Sequence, residues 1–323
     1  MPERPTVIAT RRFPPQTEAR LEQLFGAEIN RSGKGLTREA LADAIRRCDV
    51  LACSVGDPID AALLADAGER VRLIANFGVG VDHIDVAAAA ARGIAVTNTP
   101  GVLTDDTADI AIALILMLLR RLAEGERLVR AGRWGGWKPT DFLGHALRGR
   151  KLGIVGMGRI GQAVARRAAA FGMEIHYHNR NRLAEETEAA HGAHWWAELD
   201  AMLPVVDVLS INAPYGPETH RLIDARRLAL MRRDAFLINT ARGGLVDEEA
   251  LIAALEGGAL AGAGLDVYPK EPEIDPRLIA LPNTVLLPHL GSATVEARNA
   301  MGEKVIANIL AFAEGRPLPD LVI

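Results

Sequence analysis

The chain of 323 residues is 49% hydrophobic and 24% charged, a globular composition with length for about two domains. Its 37 Lys and Arg against 41 Asp and Glu leave a net charge of -4, so no basic excess points to nucleic acid or to an anionic membrane surface. Two cysteines, Cys48 and Cys53, are too few for a disulfide framework or a four-thiolate zinc site, and they read as small buried side chains in a reducing compartment.

The elements alternate strand and helix. Residues 6–10 read as a strand, 17–25 and 37–47 as amphipathic helices, 50–54 and 73–76 as further strands. The glycine-rich Phe77-Gly-Val79-Gly80 follows, then a helix over 85–92 and a strand over 95–98. One long helix is expected from Thr104 to Gly132, capped by Thr104, with Thr107 in its first turn. Its middle is apolar nearly all round, which predicts burial between domains or subunits. Its most apolar run, Ile110 to Leu119, falls far short of the ~20 residues of a membrane span. The N-terminus shows no basic-then-apolar signal region, so a cytoplasmic protein is expected.

A loop rich in Gly and Trp covers 132–149, and a second series begins at Leu152. Strands are expected at 152–155, 174–178, 208–211, 236–239, 264–267 and 285–287, and a helix over 293–314. Short apolar strands separated by helices predict α/β architecture, with parallel sheets covered on both faces. Ligands in such sheets bind at the carboxyl ends of strands.

Gly156-Met-Gly158-Arg159-Ile160-Gly161 follows the strand at 152–155 and opens a helix over 162–171. The first glycine permits a tight turn, the second lets a pyrophosphate approach the backbone, and the third allows close helix–strand packing. The helix N-terminus offers N–H groups and a positive dipole end to phosphates. The next strand ends Tyr177-His178-Asn179-Arg180-Asn-Arg182, without the acid that bonds a ribose 2′-OH in NAD sites. Arg180 and Arg182 can pair with a 2′-phosphate and Asn179 can donate through its amide, so NADPH is expected to be preferred, with NADH usable. His176 and His178 are expected to flank the strand without chemistry, and Trp195-Trp196 to pack or lie on the surface.

Three later segments carry isolated polar residues at the ends of apolar strands: Asn239-Thr240-Ala241-Arg242-Gly-Gly, Asp266-Val-Tyr-Pro-Lys-Glu271-Pro, and Leu287-Pro-His289-Leu-Gly291-Ser. Arginine can hold a carboxylate bidentately, and histidine can exchange a proton near neutral pH. A carboxylate beside a histidine fixes its tautomer and favours the imidazolium. Spacing alone leaves this trio balanced against a structural histidine and a surface glutamate.

These motifs, with Phe77-Gly-Val-Gly-Val-Asp-His-Ile-Asp85 and Asn98-Thr-Pro-Gly101, resemble the D-isomer-specific 2-hydroxyacid dehydrogenases along nearly the whole chain. The resemblance implies two Rossmann-like doubly wound parallel-sheet domains with an interdomain cleft. The substrate-binding domain would be 1–101 plus 291–323, and the NAD(P)-binding domain 102–290. It implies that Arg242 holds the substrate carboxylate and carbonyl oxygen, that His289 protonates that oxygen, and that Glu271 bonds His289. Backbone N–H groups of Val79 and Gly80 would bind the carboxylate, and Asp266 would accept from the nicotinamide carboxamide. Thr107 would reach the cofactor, Arg159 and Ile160 the pyrophosphate, and Ala213, Pro214, Thr240, Ala241 and Gly291 would line the cofactor cleft. No metal is implied.

The loop Gly132-Arg-Trp134-Gly-Gly-Trp137 and the segment His178-Asn-Arg180 resemble the glyoxylate/hydroxypyruvate reductase branch. That branch implies a homodimer in which Trp137, or else Trp134, closes the partner's pocket. It implies a small 2-keto acid as substrate, reduced to glycolate or D-glycerate. Enzymes for bulkier 2-keto acids, D-lactate-type and phosphonate-oxidising relatives, and a dinucleotide-sensing scaffold are the alternatives. A scaffold is expected to carry disordered extensions and an NAD-type acid, and the chain is expected to lack a regulatory C-terminal domain.

Overall fold

Alternation along the strands decides the layering. The computed structural model describes residues 4–323. In β3 (Val50–Ser54) and β4 (Leu73–Phe77), Val50, Ala52, Leu73 and Ala75 enter one core, while Leu51, Cys53 and Ile74 enter another on the opposite face. Strands buried on both faces are apolar without a break, as parallel strands between helix layers must be. They belong to a first unit, Met1–Leu103 with Ala293–Ile323. Its other strands are β1 (Val7–Ala9), β2 (Glu28–Ile29) and β5 (Ala95–Thr97). The order is β2-β1-β3-β4-β5, all parallel. Helices α1 (Pro15–Phe25), α2 (Arg38–Arg47), α3 (Ala61–Ala65) and α4 (Val86–Ala91) connect them. Thr37, Asp60 and Asp85 cap the last three by accepting an N–H three residues on. Cys48 and Cys53 are free and buried.

The second unit, Thr104–Ser292, opens with α5 (Thr104–Leu119) and α6 (Leu122–Arg130). Its parallel strands are β6 (Lys151–Val155), β7 (Glu174–His178), β8 (Ala193–Trp195), β9 (Val208–Ile211), β10 (Phe236–Asn239), β11 (Gly262–Leu265) and β12 (Thr284–Leu286). The order β12-β11-β10-β9-β6-β7-β8 reverses between β6 and β9, the switch point where such sheets take dinucleotides. Six helices link the strands: α7 (Arg159–Ala170), α8 (Glu185–His191), α9 (Leu199–Met202), α10 (Ala225–Leu230), α11 (Glu248–Glu256) and α12 (Pro276–Ala280). The chain then returns to the first unit as α13 (Val295–Ala313), whose Val305, Ile306 and Ile309 close the core of Val50 and Leu73.

The structure corrects the single long helix expected over 104–132. Arg121 takes a left-handed φ of 54° and starts α6, its guanidinium paired with Glu124. The His145 N–H takes the Leu119 carbonyl at 2.7 Å, an acceptor that a continuing helix would have used itself. No Gly or Pro marks the break, so periodicity ran across it. Thr104 is the first residue of α5 rather than its cap. The strand expected at 264–267 lies at Gly262–Leu265, which leaves Asp266 just beyond the strand end. The edge strands β2 and β8 escaped the sequence reading because neither carries an apolar run.

Candidate active site

The loop after β6 is shaped as a phosphate cradle. Gly156 has a φ of 91°, and a Cβ there would lie 2.6 Å from the Ala213 backbone nitrogen, so only glycine fits. Gly158 sits at the N-cap of α7, and a Cβ on it would meet nothing within 4 Å. The α7 N-terminus, where Arg159 and Ile160 begin the helix, carries free N–H groups of the kind that bind anions. Asn179 uses its Oδ1 to accept the Met157 N–H at 2.7 Å, tying the glycine loop to the end of β7.

Two buried polar atoms at neighbouring strand ends have no hydrogen-bond partner among the described residues: Asn212 Oδ1 after β9 and Thr240 Oγ1 after β10. Buried polar atoms are normally paired, so these two fit a ligand with hydroxyl or amide donors. Thr240 was expected here. Asn212 was missed, although its signal, a polar residue directly after an apolar strand, is the one that singled out Asn239. Ala213 packs against Gly156, Pro214 accepts the Thr219 hydroxyl and Ala241 donates to Asn239 Oδ1. The cradle and the orphaned acceptors together fit a dinucleotide.

The two arginines after β7 are not equivalent. Arg182 makes a two-pronged pair with Glu188, at 2.9 and 2.7 Å, and lies over the Trp195 ring. The buried Tyr177 hydroxyl also donates to Glu188 and accepts the Leu183 N–H at 3.0 Å. The Arg182 bond first, then that of Tyr177, hold the Glu188 carboxyl down at about 2. Arg180 pairs with Glu218, at 3.1 Å between two exposed side chains. His176 and His178 both bond Trp196, through its indole N–H and its carbonyl oxygen.

The Arg, Glu and His of the later segments are held in one neighbourhood. His289 Nδ1 lies 2.7 Å from Glu271 Oε2, and Glu271 Oε1 accepts the Tyr268 N–H at 3.0 Å. Burial opposes ionisation of Glu271, but the bonds from His289 and Tyr268 and the charge of Arg242 hold its carboxyl below the usual range. Asn239 fixes the Arg242 turn by donating to the Arg242 carbonyl oxygen at 2.8 Å. A Cβ on Gly243 would lie 2.0 Å from the Tyr268 carbonyl carbon, so only glycine lets the Arg242 turn press against the chain leading to Glu271.

His289 itself adopts a left-handed φ of 57°, rare outside glycine. The turn is held on all sides. The His289 N–H donates to the Asp266 carbonyl oxygen at 2.9 Å, and the Leu290 and Gly291 N–H groups donate to the Asp266 carboxylate at 2.6 and 2.8 Å. The Thr107 hydroxyl donates to the Gly291 carbonyl oxygen at 2.9 Å. Asp266 is fully buried, and burial pushes its carboxyl up against the pull of those N–H groups. Thr107 and Asp266 thus both support the turn that carries His289.

In the first unit the backbone N–H groups of Val79 and Gly80, in the loop after β4, have no acceptor among the described residues.

The model of the D-isomer specific 2-hydroxyacid dehydrogenase NAD binding domain matches residues 112–291. The chain is 45% identical to a glyoxylate reductase of Thermococcus litoralis, over 99% of this chain and 97% of that protein. It is 44% identical to a glyoxylate reductase of Pyrococcus furiosus, over 99% and 95%. The chain belongs to the D-isomer-specific 2-hydroxyacid dehydrogenases. Among solved structures, an NADPH-dependent glyoxylate/hydroxypyruvate reductase from Sinorhizobium meliloti, in complex with NADP and malonate, superposes with a TM-score of 0.88. It is 38% identical and covers 99% of this chain and 97% of that one.

Among the described residues no group of three or more His, Cys, Asp or Glu could hold an ion. No helix among them is long and apolar enough to cross a membrane. Trp134 and Trp137 sit in the loop after α6 and are 59% and 82% exposed, so a single copy of this dehydrogenase leaves both rings in water.

Proposed function

We propose that the protein is an NADPH-preferring reductase of small 2-keto acids, converting glyoxylate to glycolate and hydroxypyruvate to D-glycerate. The observation that carries this reading is the His289–Glu271 pair, 2.7 Å apart, beside the Arg242 turn in a dinucleotide-binding unit. A bound reduced nicotinamide supplies the hydride. His289 Nε2 gives a proton to the carbonyl oxygen, and Glu271 accepts from Nδ1, fixing the tautomer. Arg242 holds the carboxylate and stabilises the charge that builds on the oxygen. Val79 and Gly80 N–H groups take the carboxylate. Asp266 and Thr107 keep the His289 turn in place and line the nicotinamide end, with Gly291. Arg159 and Ile160 offer the α7 N-terminus to the pyrophosphate. We infer a cytoplasmic homodimer, in which Trp137 or Trp134 is covered by the partner.

The deciding assay offers NADPH and NADH separately with glyoxylate, hydroxypyruvate and pyruvate, and follows absorbance of the reduced nicotinamide. Faster oxidation of NADPH with the two small polar acids is expected. Tight dinucleotide binding without turnover of any acid would overturn the reading.

The NADPH preference rests on the missing acid after β7 and on Arg180. Because Arg182 is committed to buried Glu188, the two arginines should separate on mutation. Arg180→Ala should raise the KM for NADPH roughly tenfold, the scale of one charge-assisted bond, and leave that for NADH unchanged. Arg182→Ala should lower thermal stability by leaving the Glu188 carboxylate with the Tyr177 hydroxyl but no charge partner, and should change both KM values alike. Equal loss for both cofactors in Arg180→Ala would remove it as the phosphate ligand.

A further inference from the structure

In the loop after β4 the carbonyls of Gly78, Val79 and Gly80 are all tied down by other groups. Asn76 Nδ2 donates to Gly78 O at 3.0 Å and to Gly80 O at 2.9 Å. Asn98 Nδ2 donates to Val79 O at 2.8 Å, and the Thr99 N–H also reaches Gly78 O, at 3.0 Å. Asn76 is 1% exposed, at the end of a strand whose other residues are apolar or small. Its orientation follows from its partners. Two carbonyls can take only its NH₂, and the Cys53 thiol stands 3.8 Å from Oδ1 as a donor.

The peptide unit turns this into a statement about donors. In a trans peptide the N–H points opposite to the C=O of the same unit. Fixing Gly78 O therefore fixes the Val79 N–H, and fixing Val79 O fixes the Gly80 N–H. Each is aimed away from the asparagine that holds it, and both lack an acceptor among the described residues. Accepting a hydrogen bond at the carbonyl also polarises the N–H of the same unit and makes it a better donor.

We propose that Asn76 and Asn98 are positioning residues that hold the Val79 and Gly80 N–H groups as a preset receptor for the substrate's carboxylate. The proposal rests on the 2-keto-acid reading given above. Neither asparagine touches substrate, and each acts through the peptide whose carbonyl it binds. If the amides merely tied a loop, their loss would lower stability without regard to substrate. A preset receptor is lost only to substrates that carry the carboxylate charge.

The test is steady-state kinetics of Asn98→Ala and Asn76→Ala with glyoxylate and with its methyl ester, inhibition by oxamate, and thermal unfolding of each variant. In Asn98→Ala the KM for glyoxylate and the Ki of oxamate should rise together by roughly tenfold to a hundredfold, the range of one hydrogen bond to a charged group. The kcat should stay within roughly threefold, the signature of lost uniform binding. The KM for the dinucleotide and the kcat/KM for the ester should not move. Asn76 is buried and its variant is the one at risk of unfolding. Half-buried Asn98 carries the test alone. Equal losses with acid and ester, or a fall in kcat at constant KM, would overturn the proposal. A wild-type enzyme that reduces 2-keto acids while Asn98→Ala keeps its KM sinks this inference alone. A wild-type protein that binds dinucleotide but reduces no acid sinks the functional reading, and this inference with it.

Discussion

Replacing His289 by Gln should lower kcat by roughly a hundredfold to ten thousandfold, the usual worth of a positioned proton donor, while dinucleotide affinity stays as it was. The reason lies in the separation of tasks. His289 bonds Glu271 through Nδ1, which leaves Nε2 for substrate, and the cradle around Gly156 and Gly158 does not involve it. Stopped-flow turnover and titration of nicotinamide fluorescence would read the two effects separately. An active His289→Gln enzyme would remove His289 as the acid. Glu271→Gln should cost less, about tenfold, the scale of exchanging a charge-assisted hydrogen bond for a neutral one. Glu271 is held below the usual carboxylate range by its bonds to His289 and Tyr268, so it stands as a charged acceptor at Nδ1 through neutral pH. An amide in its place leaves a weaker, neutral acceptor there.

The second large effect is expected at the glycine loop, where two substitutions of the same size should act differently. Gly156→Ala places a methyl 2.6 Å from the Ala213 nitrogen at a φ of 91°. Strain of about 1–3 kcal/mol should appear in the free protein, lowering its midpoint of thermal unfolding and weakening dinucleotide binding. Gly158→Ala meets nothing in the free chain, so its unfolding midpoint should stay unchanged. Its methyl instead occupies the space a pyrophosphate needs, and dinucleotide affinity should fall at least roughly tenfold. Calorimetry with and without NADPH distinguishes the two. Unchanged affinity in Gly158→Ala would mean that phosphates do not approach the backbone there.

Much of this was legible in sequence for physical reasons that can be named. The strands at 50–54, 208–211 and 236–239 stand where the apolar runs stand, because a strand buried on both faces cannot be polar throughout. In the second unit the polar residues at strand ends are the ones that build the site: Asn179 ties down the glycine loop, Asn212 lies against Gly156, and Asn239 holds the Arg242 turn. What escaped were partnerships. Nothing in Arg180-Asn-Arg182 says that one arginine is claimed by Glu188 and the other is not, since Glu188 reaches it by folding back from α8. Asn76 hid inside an apolar strand, and only the turn of the following loop reveals what its amide holds. The helix break at Arg121 came from a carbonyl taken by His145, a residue in a different loop. Local pattern carries no information about such competitors.

The return of α13 to the first unit sets an order of events during synthesis. The sheet of that unit has all five strands by Thr97, yet one face waits for Val305, Ile306 and Ile309. The whole of the second unit is made in the interval, which at ordinary rates of translation lasts on the order of ten seconds or more. Until then Val50, Ala52, Leu73 and Ala75 share their face only with Phe13, Leu21 and Phe25, while the second unit, contiguous in the chain, can finish without waiting. The half of the protein that leaves the ribosome first is therefore the half that folds last, and its half-covered sheet face is where a nascent chain of this enzyme is most exposed to wrong partners.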